Sequence, residues 1–212
     1  MTETLTGAQI TVRLLERQGI RTVAGIPGGA ILPIYDALGQ STEIHHVLAR
    51  HEQGAGFMAQ GMARATGMPA VCLASSGPGA TNLLTAIADA KLDSIPLVAI
   101  TGQVPKAMIG TDAFQEVDTY GLSIPITKHN FLVSSAEELL EVLPRAFQIA
   151  ASGRPGPVLI DIPKDVQTQA IEIGQWPDPG RALPAPTADP EQIEQVAAMI
   201  NAAERPILYL GG

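Results

Sequence analysis

One carboxylate and two glycine turns are the residues here whose types and spacing can do chemistry. Glu52 stands in Arg50-His51-Glu52-Gln53-Gly54-Ala55-Gly56-Phe57, at the first turn of a helix that continues with small and apolar residues. Two readings are open for it. One is a solvated acid that complements the helix dipole, worth a few tenths of a kcal/mol up to ~1 kcal/mol. The other is an acid or base whose proton affinity is raised by burial beside Phe57 and Met58. Gly25-Ile26-Pro27-Gly28-Gly29-Ala30 leaves backbone N–H groups that no side chain screens, so a ligand can approach them. It also reads as an ordinary strand-to-helix turn. Ser75-Ser76-Gly77-Pro78-Gly79-Ala80-Thr81-Asn82 opens directly onto a helix N-terminus that can face an anion or a polar ring.

Several other chemistries lack their residues. No Gly-Lys-Ser/Thr ends either glycine turn, and no GxGxxG is followed by an acid ~20 positions on, so a nucleotide loop is excluded. His51-Glu52 has no second histidine four residues after His51, which removes the zinc-protease pattern. His45, His46 and His129 have no Asp, Glu or Cys at metal spacing, and no metal ligands are assigned on this chain. GxSxG is missing, so hydrolase chemistry has no support. The single cysteine, Cys72, lies in the apolar run Ala70 to Ala74 and reads as buried core.

The elements that must hold these segments alternate. From Thr6 to about Ile162, short apolar runs interleave with stretches of helical period, the mark of an α/β fold. Its form is three layers, a mostly parallel sheet with helices on both faces. Thr6 caps a first helix that Gly19 ends. Strands are expected at 22–24, 44–48, 70–74, 97–101, 130–133 and 158–162, and helices at 52–66, 81–91 and 136–151. In such a sheet the carboxyl ends of strands bind ligands, which places the three segments side by side. The helix after Asn82 is apolar around nearly its whole circumference, which suggests burial on all sides and a subunit interface.

The 212 residues are 46% hydrophobic and 16% charged, enough for a full core. A net charge of -8 gives no basic footprint for nucleic acid. No run approaches a membrane span, and the start lacks a basic signal segment, so a cytoplasmic protein is expected. Gln167 to Pro190, with five prolines after Trp176, reads as an extended linker. A helix from Pro190 to about Ala203 and a strand over Arg205 to Leu210 follow. Since a helix and one strand cannot form a core, they read as a second domain begun and cut short.

Together these segments resemble the N-terminal pyrimidine-binding domain of the acetolactate synthase (acetohydroxyacid synthase) catalytic large subunit. Gly25 to Ala30, Arg50 to Ala55, Ser76 to Asn82 and Ile109-Gly110-Thr111-Asp112-Ala113-Phe114-Gln115-Glu116 stand as that family has them. So do Lys128-His129-Asn130, Gly153-Arg154-Pro155-Gly156-Pro157-Val158 and Asp161-Ile162-Pro163-Lys164-Asp165. Leu48 to Glu52 and Val117 to Tyr120 look most like the first enterobacterial isozyme.

The resemblance implies a division into a pyrimidine-binding domain over 1–166, the linker over 167–190, and the start of a central, FAD-associated domain over 191–212. It implies that Glu52 hydrogen-bonds the pyrimidine ring of thiamine diphosphate. Sharing a proton with the ring nitrogen turns the exocyclic amine into the base that strips the thiazolium proton. The reaction implied joins two pyruvates, or pyruvate and 2-oxobutyrate, with loss of carbon dioxide, toward valine, leucine and isoleucine.

Gly29 is implied as a backbone donor, Gly77 and Gln115 as cofactor contacts, and Arg154 as a contact of a structural FAD. Ala30, Pro105, Met108, Phe114 and Lys164 are implied to border the substrate channel. Ala107 stands where some relatives have a second basic residue. The Mg2+ that anchors the diphosphate needs a Gly-Asp-Gly motif, which this sequence lacks, so the chain alone is expected to be inactive. A homodimer or larger assembly and a regulatory small subunit are implied as partners. Two rivals remain: another thiamine-dependent 2-oxo-acid decarboxylase or oxidase, and a non-catalytic assembly module.

Overall fold

In the computed structural model, which describes residues 2–209, eight strands and eight α-helices alternate along the chain. They are β1 (Glu3–Thr6), α1 (Gly7–Arg17), β2 (Thr22–Gly25), α2 (Leu32–Gln40), β3 (His45–Leu48), α3 (Glu52–Thr66), β4 (Ala70–Ala74) and α4 (Pro78–Leu92). There follow β5 (Leu97–Gln103), α5 (Thr119–Ser123), β6 (His129–Leu132), α6 (Leu139–Ala151), β7 (Val158–Pro163), α7 (Lys164–Thr168), β8 (Ala170–Ile173) and α8 (Pro190–Ala202). Six strands form one parallel sheet in the order β3-β2-β4-β5-β7-β6. The helix ends follow local chemistry. Thr6 and Gln9 form a reciprocal capping box on α1, and Gly67, at φ 69°, ends α3 in the left-handed conformation.

Alternation along the strands separates two cores. Val71 and Leu73 of β4, with Val98 and Ile100 of β5, pack under α1, α2 and α6 beside Ile10, Leu15, Ile34 and Leu143. Cys72 and Ala74, with Leu97 and Ala99, point the other way, where α3 and α4 supply Ala55, Ala59, Ala63, Leu83 and Ile87. The helices on both faces make the three layers expected from the sequence.

Three expectations are corrected. Gln167 to Ile173 is not linker: α7 and β8 occupy it, and β8 pairs antiparallel with β1, Glu3 opposite Ile173. Beyond it the chain is extended yet fastened to the body. Arg17 Nη2 donates to the Pro177 carbonyl (3.1 Å), Trp176 Nε1 to Glu3 Oε1 (3.1 Å), and Leu183 N to Ser152 Oγ (2.9 Å). α4 is not buried all round: Leu83, Ala86, Ile87 and Ala90 face the sheet, while Thr85 and Leu92 are exposed. Residues 205–209 form no strand, and Leu210 onward lies outside the described residues. α2 and the β1–β8 pair were not foreseen.

Candidate active site at the carboxyl edge of the sheet

Because the six strands run the same way, Gly25, Leu48, Ala74, Gln103 and Pro163 end at one edge. The sheet grows from β2 in both directions, β3 on one side and β4 then β5 on the other. The loops after β2 and β4 therefore diverge and leave a crevice, the place where open α/β sheets bind ligands. The three segments singled out by their chemistry are the loops of this edge.

Glu52 opens α3 directly after His51, whose Nδ1 accepts from Gln53 N (3.2 Å) and caps the helix. The carboxyl is half-buried, and its two oxygens have different neighbours. Oε2 accepts from Asn82 Nδ2 at 2.9 Å, while Oε1 lies 3.6 Å from where a side-chain carbon on Gly79 would stand. An amide N–H only donates, so Asn82 keeps Oε2 an acceptor and leaves Oε1 as the oxygen that can share a proton with a ligand nitrogen. Phe57 and Met58, expected to bury this carboxyl, are themselves exposed at 41% and 45% and do not wall it off.

The glycine turns bring backbone to the same place. Gly77 has φ 54° and ψ -119°, a conformation that favours glycine, and a side chain on it would meet the Gln115 carbonyl at 2.6 Å. The loop after β5 thus lies on the turn after β4. Gly28 sits against Ser75, 2.5 Å from Cβ to Cβ were it alanine, and Ala30 N donates to Ser75 Oγ (3.2 Å). Gly29 is exposed, with open space beside its Cα. The Ala30 carbonyl accepts from buried Gln167 Nε2 (2.8 Å), and Lys106 N donates to Asp165 Oδ1 (3.0 Å), joining the loops after β2 and β5 to α7, whose first residue is Lys164. Gly29, Ala30, Glu52, Gly77, Pro105, Met108, Phe114, Gln115 and Lys164 therefore all stand on segments of one edge.

Arg154 does not join them. It precedes β7, and its Nε donates to Ser94 Oγ (2.8 Å) and its Nη2 to the Leu92 carbonyl (3.0 Å), just before β5 begins. That is the amino edge, a strand length of ~17–20 Å from the carboxyl edge. The histidines are spread out too: His46 stacks edge-on against Tyr35 and His129 against Phe131. Cys72 is fully buried, which pushes its thiol up to about 12.

Three residues at the edge carried no assigned role in the sequence reading: Ser75, Gly79 and Asn82. Gly79 and Asn82 are three apart on α4 and so share a helix face, a signal available from spacing alone. Their approach to Glu52 belongs to the fold. A carboxylate acceptor beside Gly79, at the edge where Gly29 leaves open space, fits the pyrimidine ring of thiamine diphosphate. Among the described residues no group of three His, Cys, Asp or Glu side chains could hold a metal ion. No helix among the described residues is long and apolar enough to cross a membrane.

Comparison with known proteins agrees with this geometry. The family described as thiamine pyrophosphate enzyme, N-terminal TPP binding domain, matches residues 5–122. The acetolactate synthase isozyme 1 large subunit of Escherichia coli is 70% identical over 207 residues, covering 98% of this chain and 37% of that protein. The isozyme 2 large subunit of the same organism is 55% identical over 98% of this chain and 37% of its own length. Acetolactate synthase 3, chloroplastic, of Brassica napus is 51% identical over 97% of this chain and 32% of its own length. The chain thus spans about a third of the length of the curated relatives it matches. With Glu52, Gly77 and Asn82 inside the matched region and gathered at the crevice, the chain belongs to the thiamine pyrophosphate enzymes and carries their N-terminal TPP binding domain.

Proposed function

We propose that this chain is the pyrimidine-binding part of an acetolactate synthase catalytic subunit. At full length that subunit condenses pyruvate with pyruvate or 2-oxobutyrate, releasing carbon dioxide and forming 2-acetolactate or 2-aceto-2-hydroxybutyrate. The observation that carries the reading is the unequal carboxylate of Glu52, one oxygen held by Asn82 and the other open beside Gly79. Bound thiamine diphosphate supplies a thiazolium carbon that adds to a 2-oxo acid carbonyl and takes up the electron pair left by carbon dioxide. Glu52 Oε1 holds the proton at the pyrimidine nitrogen, and Asn82 prevents the carboxyl from turning away. Gly29 offers its N–H to the ligand, Gly77 and Gln115 border the ring, and Ala30, Pro105, Met108, Phe114 and Lys164 border the substrate path.

The diphosphate and its Mg2+ are assigned to the length that the relatives have beyond the matched part. FAD, if held through Arg154, touches this domain at the edge away from Glu52. α8, which has no buried side chain, belongs to the next domain. The half-exposed outer faces of α3 and α4 are assigned to a homodimer, the named large-subunit relatives support a regulatory small subunit, and the cytoplasm is the proposed compartment.

The test extends the chain to the length of its relatives and follows acetolactate formation from pyruvate with thiamine diphosphate, Mg2+ and FAD. Glu52→Gln is expected to lower kcat/KM by about 10²- to 10⁴-fold, and the 212-residue chain to be silent. Equal activity with Glu or Gln at position 52 would leave the carboxylate a helix-capping charge and end the synthase reading.

A further inference from the structure

Thirteen residues, Val104 to Glu116, leave β5, carry Pro105, Met108 and Phe114, and lay Gln115 against Gly77 before the chain reaches Val117. Phe114 is 86% exposed, and Asp112 and Gln115 hold φ values of 55° and 58°, so neither a core nor a regular element fixes the tip. The base of the loop is different. Gln103, the last residue of β5, is only 2% exposed, and its one amide reaches both ends of the loop. Oε1 accepts from Val104 N (2.9 Å) where the loop starts, and Nε2 donates to the Val117 carbonyl (3.0 Å) where it ends.

The second Nε2 proton goes to Asp161 Oδ2 (2.9 Å), on the neighbouring strand β7. Asp161 is 1% exposed, and its Oδ1 accepts from Thr101 Oγ1 (2.7 Å). The Val117 carbonyl decides which way the amide faces. A carbonyl can only accept, so it must meet the NH2 side, which turns the Gln103 oxygen toward Val104 N and leaves the other N–H for Asp161. Reversed, the amide would set its oxygen against the Val117 carbonyl.

We propose that Gln103 and Asp161 are positioning residues for the reaction: a buried clasp that closes the 104–117 loop at its base and so sets where Phe114 and Gln115 stand over Gly77. The proposal rests on the synthase reading for what the loop does, but the clasp itself is a property of this chain. Both of its side chains are buried, at 2% and 1% exposure. The Val117 carbonyl also accepts from Thr119 N (2.8 Å), so removing the Gln103 amide does not strand it. The charged and titratable groups around the clasp are Asp118, Glu116 and Tyr120, which with Gln103 and Asp161 line a cavity of about 220 Å³.

The experiment uses the full-length protein and reads hydrogen exchange at the amides of residues 105–117, with those of β4 and β7 as the internal reference. In Gln103→Met, which keeps the side-chain length and loses all three bonds, exchange in the loop should quicken on the order of tenfold while the reference strands hold. The kcat/KM for pyruvate should fall on the order of tenfold or more, because misplacing a site residue by about an ångström costs that much. The half-saturating concentration of thiamine diphosphate should rise with it, because the same loop lays Gln115 against Gly77.

Gln103→Glu is nearly isosteric and guards against a misfolded first variant. Its acid, when protonated at low pH, can still donate to Asp161 or Val117; as pH rises two carboxylates come to face each other, so loop exchange relative to the reference strands should quicken, and kcat/KM fall, more steeply with pH than in the parent. Loop exchange like the parent's in both variants overturns the clasp, and so does faster exchange spread equally over the reference strands. Glu52→Gln run alongside separates the two ideas: if it stays active the synthase reading falls, and the exchange data still decide whether the clasp holds the loop.

Discussion

The two faces of the sheet are filled by opposite means. Under α1, α2 and α6 the filling is large and branched: Ile10, Leu15, Ile34, Leu139 and Leu143 are fully buried among Val and Ile from the strands. Under α3 and α4 it is largely alanine, with Ala24, Ala55, Ala59, Ala63, Ala74, Ala90 and Ala99 in one cluster. There the helices approach so closely that a side chain on Gly56 would lie 2.5 Å from Ala86 Cβ. The alanine face also takes up buried polar groups. Gln60 Nε2 donates to the Ala86 carbonyl (2.7 Å), and Thr101, Gln103 and Asp161 lie in register with Ala99 and Leu159 on that side. One face gains stability from bulk. The other brings two helices, the first starting at Glu52 and the second carrying Gly79 and Asn82, close enough for their side chains to meet.

If so, the faces should fail in opposite ways. The largest effect expected is from deletion on the bulky face: Leu143→Ala should cost ~2–5 kcal/mol, transfer plus cavity. Urea unfolding of the full-length protein would show it, and a cost well under 1 kcal/mol would mean that this face is not tightly packed. On the alanine face the damaging change is addition. Gly56→Val should cost ~1–3 kcal/mol by overpacking and, by pushing α3 from α4, weaken the Asn82–Glu52 bond. Thiamine diphosphate affinity should then fall with stability, whereas Leu143→Ala should lower stability alone. If both variants move affinity equally, the division of labour between the faces is wrong.

The finest difference is one of slope. Burial pushes the Asp161 carboxyl from its ordinary 3.8 up to about 7, against the bonds from Thr101 and Gln103, which pull it down, and with Asp118 adding to the rise. Between about pH 4 and pH 7 the folded chain therefore keeps a proton that the unfolded chain has released. The stability this group contributes is fully present below the lower value and is lost as pH rises through the upper one. A pH series of urea midpoints should fall across that window, and Asp161→Asn, which cannot titrate, should flatten it. Identical slopes would place no titrating carboxyl on this face.

Much of this was legible where local chemistry decides. The bounds 52–66 for α3 and 70–74 for β4 follow from a start signal at His51-Glu52, the stop at Gly67, and an apolar run too short for a helix. Glu52 and both glycine turns could be singled out because strand ends in parallel sheets gather at one edge. What stayed hidden depends on distant partners or on residues of ambiguous character. α2 is nine residues long and carries Pro33 near its start and Gly39 near its end, both of which weaken a helical pattern. Alanine and threonine made α4 look apolar all round, yet small residues tolerate exposure, and only one side is buried. Asn82 reaches Glu52 thirty positions away, Gln103 reaches Asp161 across two strands, and Arg154 falls on the far edge because a whole strand intervenes.

The pairing of β1 with β8 bears on how the chain acquires its shape during synthesis. Thr4 lies opposite Glu172, so β1 is made well before the strand that pairs with it and waits for β8 before it finds a partner. The parallel strands and α1 to α6 can gather earlier, but this ribbon closes late, as pairings of high sequence separation do. Until then Leu5 and Ile171, half-buried against the bulky core, have no cover from each other. The nascent domain therefore passes through a stage with an open seam along α1, at which a holding chaperone or a protease would meet it.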